Sequence, residues 1–268
     1  IGQNQDYLDL TDVDPAQPER ETYALLVAGT QVTKSNQNDV LEDGGSVKFD
    51  PTTNTLTLND ADLTLDGAAG VSSCIDSQLA EELTITGTAT LSNADGILTE
   101  GPLTLDNATL TLTGNIDGDV GDDAIRAGRS DEDITIENSK VTIAGTNSEG
   151  NFFQFGIRCG KLTVANSTLD VKAGGSAIVA ADEMEVSGAG TVITAETGAS
   201  EEQDYYAIKL DNENLLTLND GLALVEGKVN ESKKAKIAQP EQAPTDFKVY
   251  WVVHPGDEPV NGGMQFPG

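Results

Sequence analysis

The amino-acid sequence predicts an all-β fold, a right-handed, single-stranded parallel β-helix of about seven coils capped at both ends. Three observations predict it. An apolar–Thr–apolar triplet recurs along the chain. A residue that tolerates left-handed backbone follows each triplet at a constant offset. Aromatics are scarce, at 4%, while glycine is abundant, with 28 residues, which suits short strands joined by tight turns.

The triplets are Leu56-Thr57-Leu58, Leu83-Thr84-Ile85, Leu103-Thr104-Leu105, Ile134-Thr135-Ile136, Leu162-Thr163-Val164, Met184-Glu185-Val186 and Leu216-Thr217-Leu218. Four positions after each first residue stand Asp60, Gly87, Asn107, Asn138, Asn166, Gly188 and Asp220. All are Asp, Asn or Gly, the residues that accept positive φ at a sharp corner. A small residue comes next each time: Ala61, Thr88, Ala108, Ser139, Ser167, Ala189 and Gly221.

A second strand follows the corner at Leu63, Leu110, Val141 and Leu169, and with one extra residue at Leu91, Val192 and Leu224. A third strand precedes the triplet and carries a small residue before Ile: Cys74-Ile75, Gly96-Ile97, Ala124-Ile125, Gly156-Ile157, Ala177-Ile178 and Ala207-Ile208. Val47-Lys48-Phe49 is expected to fill that place in the first coil. Period-two alternation turns the apolar residues inward and the threonines outward. The absence of a long helical pattern favours a β-helix over a βα solenoid. Coils of about 21 to 32 residues stack about 4.8 Å apart, giving a rod on the order of 34 Å long.

Residues 1–22 read as a polar leader arm and 23–230 as the β-helix, opened by a cap hairpin from Tyr23 to Val32. Residues 231–268 read as a charged link (233–244), a cap strand (Phe247 to Val253) and a loop-like tail. Solenoid ends need such covers because open strand edges invite aggregation.

The run YALLVAGTQVT, Tyr23 to Thr33, is followed by VKFDPTTNTLTLNDA, Val47 to Ala61. Together they resemble the parallel β-helix surface proteins of gut anaerobic bacteria, often labelled carbohydrate-binding-domain-containing or left uncharacterised. The resemblance is specific over residues 23–65 and rests on the coil repeat beyond them. It implies a secreted or surface-attached protein and a glycan ligand. Related β-helices include polysaccharide lyases, so the fold leaves both binding and chemistry open.

A net charge of −30 argues against nucleic acid and anionic membrane surfaces as partners, since phosphates require clustered Lys and Arg. No stretch approaches the ~20 apolar residues that span a bilayer. The chain starts at Ile1, which suggests an upstream segment removed, as a secretory signal would be. Cys74 and Cys159 fall three coils apart, roughly 14 Å, beyond the reach of a disulfide, and are expected to be buried free thiols. The single His254 offers no partner for nucleophilic catalysis or for zinc.

Three groups of residues are candidate sites. Asp117, Asp119, Asp122 and Asp123 crowd one inserted turn, where calcium would find several carboxylates, although no EF-hand pattern is present; a solvated loop is the plainer reading. The outward position after each marker Ile reads Lys48, Asp76, Leu98, Arg126, Arg158, Val179 and Lys209. Stacking makes Arg126 and Arg158 neighbours, able to pair carboxylates of an acidic sugar or to be neutralised by Asp123, Asp131 or Asp133. Phe152, Phe153 and Phe155 lie in the longest insertion, where exposed rings would stack on sugars, or fold back over the coil; Tyr205 and Tyr206 occupy a comparable turn. No catalytic residue and no cofactor stands out. The expected function is a secreted or cell-surface, non-catalytic module that binds a polysaccharide or cell-surface glycan. The alternatives are a β-helix lyase or hydrolase acting on acidic glycans, and a purely structural stalk.

Overall fold

The computed structural model describes residues 21–65, 73–92, 95–113, 123–128, 131–144, 153–211 and 215–241. Among them nineteen strands and no α-helix are found. All nineteen belong to one mostly parallel sheet that does not close on itself. The leader arm, the expected cap strand Phe247 to Val253 and His254 lie outside the described residues. No helix among the described residues is long and apolar enough to cross a membrane.

The strands are β1 (Thr22–Val27), β2 (Thr30–Thr33), β3 (Val47–Asp50), β4 (Thr55–Thr64), β5 (Ser73–Ser77), β6 (Leu83–Ser92), β7 (Asp95–Thr99), β8 (Leu103–Thr113), β9 (Asp123–Ala127) and β10 (Ile134–Glu137). There follow β11 (Lys140–Ala144), β12 (Phe155–Ala165), β13 (Thr168–Ala173), β14 (Ile178–Ser187), β15 (Val192–Thr197), β16 (Ile208–Leu210), β17 (Leu216–Leu218), β18 (Ala223–Glu226) and β19 (Lys234–Ala238).

Three columns of parallel pairs run through the stack. In the first, Leu83, Leu103, Ile134, Leu162, Met184 and Leu216 stand beside one another in register. In the second, Ala61, Ala89, Leu110, Val141, Leu169 and Ile193 do the same. In the third, the marker residues Ile75, Ile97, Ile125, Ile157, Ile178 and Ile208 are aligned. Inner positions such as Leu83, Ile85, Ile97, Ile125 and Val141 are fully buried and form one continuous core. Burying such a side chain contributes about 1.5–3 kcal/mol, so each repeat needs its neighbours to cover its inner face.

The corner takes the expected backbone. Asp60, Gly87, Asn107, Asn138, Asn166, Gly188 and Asp220 all have positive φ, between 50° and 94°. Gly87 is needed for a second reason, because a Cβ there would lie 1.9 Å from the carbonyl oxygen of Leu58. The small residue before each marker Ile also has a packing cause. A Cβ on Gly96 would sit 2.4 Å from Leu112 Cδ2, and one on Gly156 would sit 2.3 Å from Val171 Cγ1, so the third column presses against the inner residues of the second.

Hydroxyls at the corner join the repeats. The amide of Ala108 donates to Ser139 Oγ at 2.9 Å, the amide of Ser139 to Ser167 Oγ at 3.0 Å, and the amide of Ser167 to Thr191 Oγ1 at 3.4 Å. Ser139 Oγ donates in turn to Glu137 O at 2.6 Å, and Ser167 Oγ to Ala165 O at 2.7 Å. These three hydroxyl-bearing residues are buried, and the ladder satisfies amides that the corner removes from the strand pairing.

The ends depart from the expected pattern. Val47–Phe49 does not fill the third column. Strand β3 pairs antiparallel with β4, Val47 opposite Leu58, and β1 covers the third column instead, antiparallel to β5 with Val27 opposite Ile75. The β1–β2 hairpin is present as expected. The first repeat is slipped by two residues, so that Leu56 neighbours Ile85 rather than Leu83. Leu91 aligns with Leu112 rather than Leu110, and Ile193, not Val192, aligns with Leu169. Leu224 lies on β18, which among the described strands pairs with β19 alone, and β19 takes the place beside β15 with Ile237 opposite Ile193. The expected link at 233–244 therefore contains a strand, because Ala235 and Ile237 supply the alternating apolar face that the last repeat lacks.

Candidate functional site

The irregular features concentrate on the outer side of the third column. Asp76, Leu98, Arg126, Arg158, Val179 and Lys209 project there from successive strands in register. Lys48, on β3, lies elsewhere and lines a cleft of about 220 Å³ with Gln37, Asn38, Phe49, Asp50, Pro51 and Thr57.

Arg126 and Arg158 are adjacent and share one acceptor. Arg126 Nη1 lies 3.1 Å and Arg158 Nη2 2.7 Å from Asp123 Oδ2. The Asp123 side chain is 1% exposed, against 32% for Arg126 and 25% for Arg158. Its backbone amide donates to Asp95 Oδ1 at 3.1 Å. Burial pushes the Asp123 carboxyl above the usual carboxylate range, and the guanidiniums of Arg158 and Arg126 pull it back. Among the described residues, Asp123 Oδ1 and both arginine Nε atoms are buried without a hydrogen-bond partner. Asp76, two strands from Arg126 in the same column, is also pushed upward, first by burial and then by Glu100, with Arg126 opposing.

Beyond the arginines lies an aromatic edge. Arg158 Cζ stands 4.7 Å from the centroid of the Phe155 ring, which meets the Tyr205 ring edge-on at 6.2 Å. Gln154 Nε2 donates to the Tyr205 hydroxyl at 3.0 Å. The repeat between these rings carries Gly174 and Gly175 at this level, whose amides bond to Phe153 O and Gln154 O, each at 2.8 Å. A Cβ on Gly175 would come 2.4 Å from Gln154 O and 3.3 Å from Tyr205 Cδ1, so the glycine lets the backbone of the neighbouring repeat approach this closely. Lys233 Nζ holds the neighbouring turn by donating to Gln203 O at 2.8 Å and Tyr205 O at 2.7 Å, with its charge 5.3 Å from the Tyr206 ring centroid.

The expected residues thus divide. Arg126, Arg158 and Phe155 come together, and Lys209 sits on the same side, 3.9 Å from Asp204. Phe153 is fully buried and presents no ring to solvent. Phe152, Asp117, Asp119 and Asp122 lie outside the described residues. Asp123 is the one of these four aspartates within the described residues, and it pairs with Arg126 and Arg158. No group of three or more metal-ligating side chains occurs among the described residues. Cys74 and Cys159 are free and buried, their thiols pushed up to about 12 by burial, so neither is an accessible nucleophile. Gln154 and Lys233 were not singled out by sequence, since neither belongs to the repeat and only the fold places them at the rings. No family model, curated protein or solved structure matches this chain.

Proposed function

We propose that this chain is a secreted or cell-surface, non-catalytic module, built as a right-handed parallel β-helix, that binds an acidic polysaccharide or cell-surface glycan on the outer side of its third column. The three in-register columns and the seven left-handed corners support the β-helix. One observation carries the functional reading. The half-buried rings of Phe155 and Tyr205 meet beside Arg158, whose neighbour in register is Arg126, in a chain with 4% aromatics and 15 Lys and Arg. Sugar rings offer C–H faces that stack on aromatic side chains, and uronate carboxylates accept paired N–H bonds from guanidinium. Among the described residues each arginine commits a single nitrogen to Asp123, which leaves further N–H groups of both guanidiniums for a carboxylate ligand.

The stalk reading draws on the same ion pairs, which occupy part of each guanidinium. A polysaccharide array separates the two. Signal on uronic-acid glycans, weakened at least tenfold by Tyr205→Ala or Phe155→Ala, is the expected result. Arg126→Ala with Arg158→Ala should abolish the preference for acidic over neutral glycans. A blank array leaves the stalk, and release of unsaturated sugars from an acidic polysaccharide would make the protein a lyase.

A further inference from the structure

We propose that the open edge of β17 is the docking site of the chain's own segment 247–253, which pairs there as an antiparallel strand and completes the C-terminal cap. At both ends of the stack, exposed columns are covered by antiparallel strands: β1 on β5, β3 on β4, and β19 on β15. The third column ends on β16, and a side chain covers it. Asn230 accepts from the Leu210 amide through Oδ1 at 2.8 Å and donates to Leu210 O through Nδ2 at 2.8 Å, while its own amide reaches Ile208 O at 3.0 Å.

Among the described residues the first column has no such cover. Strand β17 pairs with β14 on one side, and no described strand pairs with the other. The Asn219 amide bonds back to Val186 O at 2.9 Å. Alternation along a strand then turns the amides and carbonyls of Leu216 and Leu218 toward the open side. Their side chains are only half-buried, whereas Met184 and Val186 above them are fully buried. Leu224 is half-buried nearby in the chain and Val225 is 44% exposed. An edge of this kind, apolar and with unpaired main-chain groups, is a template for one more strand.

The position of the chain at Gln239 selects the occupant. Strand β19 runs backwards along the second column, and Gln239 Nε2 then donates to Asp220 O at 3.3 Å, two residues beyond the end of β17. A chain leaving this point in the same sense meets β17 from its C-terminal end, which is the antiparallel approach. Residues 240–246 span at most about 25 Å, enough to reach either end of a three-residue strand. The next segment, Phe247-Lys248-Val249-Tyr250-Trp251-Val252-Val253, alternates Phe, Val, Trp and Val on one side, the period-two pattern that would lay an apolar face over Leu216 and Leu218.

Trp251 is the chain's single tryptophan and reports the docking directly. The full-length chain, the chain ending at Gln239 and a Val249→Asp variant are compared by tryptophan emission, acrylamide quenching and amide hydrogen exchange. In the full-length protein Trp251 should emit at short wavelength and resist quenching, and the Leu216 and Leu218 amides should be protected. Val249→Asp should move the emission to the red. Truncation should speed exchange at Leu216 and Leu218 at least tenfold while β8 and β12 keep their protection. Free-indole emission in the full-length chain, or equal exchange at both leucines with and without residues 240–268, overturns the proposal. Protection that depends on protein concentration also overturns it, in favour of a second copy on the edge.

Discussion

Asp123 shows how much one residue's setting departs from its type. A carboxylate in an acidic stretch of sequence reads as solvent-facing, yet its side chain is 1% exposed and held by Arg126 and Arg158. Burial raises its proton affinity above that of the unfolded chain, so the native state keeps the proton to higher pH. Its contribution to stability therefore falls as pH rises through the window that begins at the ordinary carboxylate value of 3.8. Replacing both arginines with Ala strands the charge and should cost about 3–5 kcal/mol at pH 7. The deficit should shrink as pH falls, because protonating Asp123 removes the stranded charge, and urea unfolding at pH 7 and pH 4 measures it. A deficit that does not change with pH would mean that the stranded group is not Asp123. The choice between a sugar-binding and an internally paired arginine could not be made from sequence, because Asp123, Asp131 and Asp133 were all near in the chain and only side-chain placement distinguishes them.

At the scale of elements, the corner is the most informative unit. Its Asn, Asp or Gly was readable because few residues accept positive φ, and all seven positions adopt it. The hydroxyl ladder was not readable, since the small residue after the corner is Ala, Thr or Gly at five of the seven positions and Ser at only two. Only the stack shows that Ser167 Oγ accepts the Ser139 amide and donates to Ala165 O. Ser167→Ala should leave that buried amide without an acceptor and destabilise the protein by about 1–3 kcal/mol. Chemical denaturation with an unchanged m-value is the expected observation. A loss under about 0.5 kcal/mol, within the usual range for a surface change, would show that the ladder adds nothing. Strand register was legible wherever consecutive repeats had equal corners. It failed at Leu56, Leu91 and Val192, where a slip of one or two residues keeps the alternation and changes the partner.

For the whole molecule, charge and topology act together. A net charge of −30 on one stacked core means that acidic side chains recur at close spacing from repeat to repeat, with pairs such as Lys161 with Glu183 and Glu185 relieving only part of the repulsion. Screening shortens the reach of these charges to about 10 Å at 0.1 M salt. The melting temperature should therefore rise by several degrees between 10 mM and 500 mM NaCl. A flat or falling profile would mean that self-repulsion does not limit this fold. The stack is also finished differently at its two ends, by β1 and β3 at one and by β19 and Asn230 at the other. Strands that run against the column direction cannot continue the parallel pattern, so they end it.

The sequence by itself determined the repeat, the left-handed corners, the inward face of each strand and the in-register Arg126 and Arg158, because each follows from local backbone sterics and a period of two. The tertiary structure alone decided which strands close the ends, which hydroxyls bridge repeats and which carboxylate the arginines share. Those depend on contacts between residues far apart in the chain, and many partners of similar chemistry compete for each until the stack places one of them within hydrogen-bonding distance.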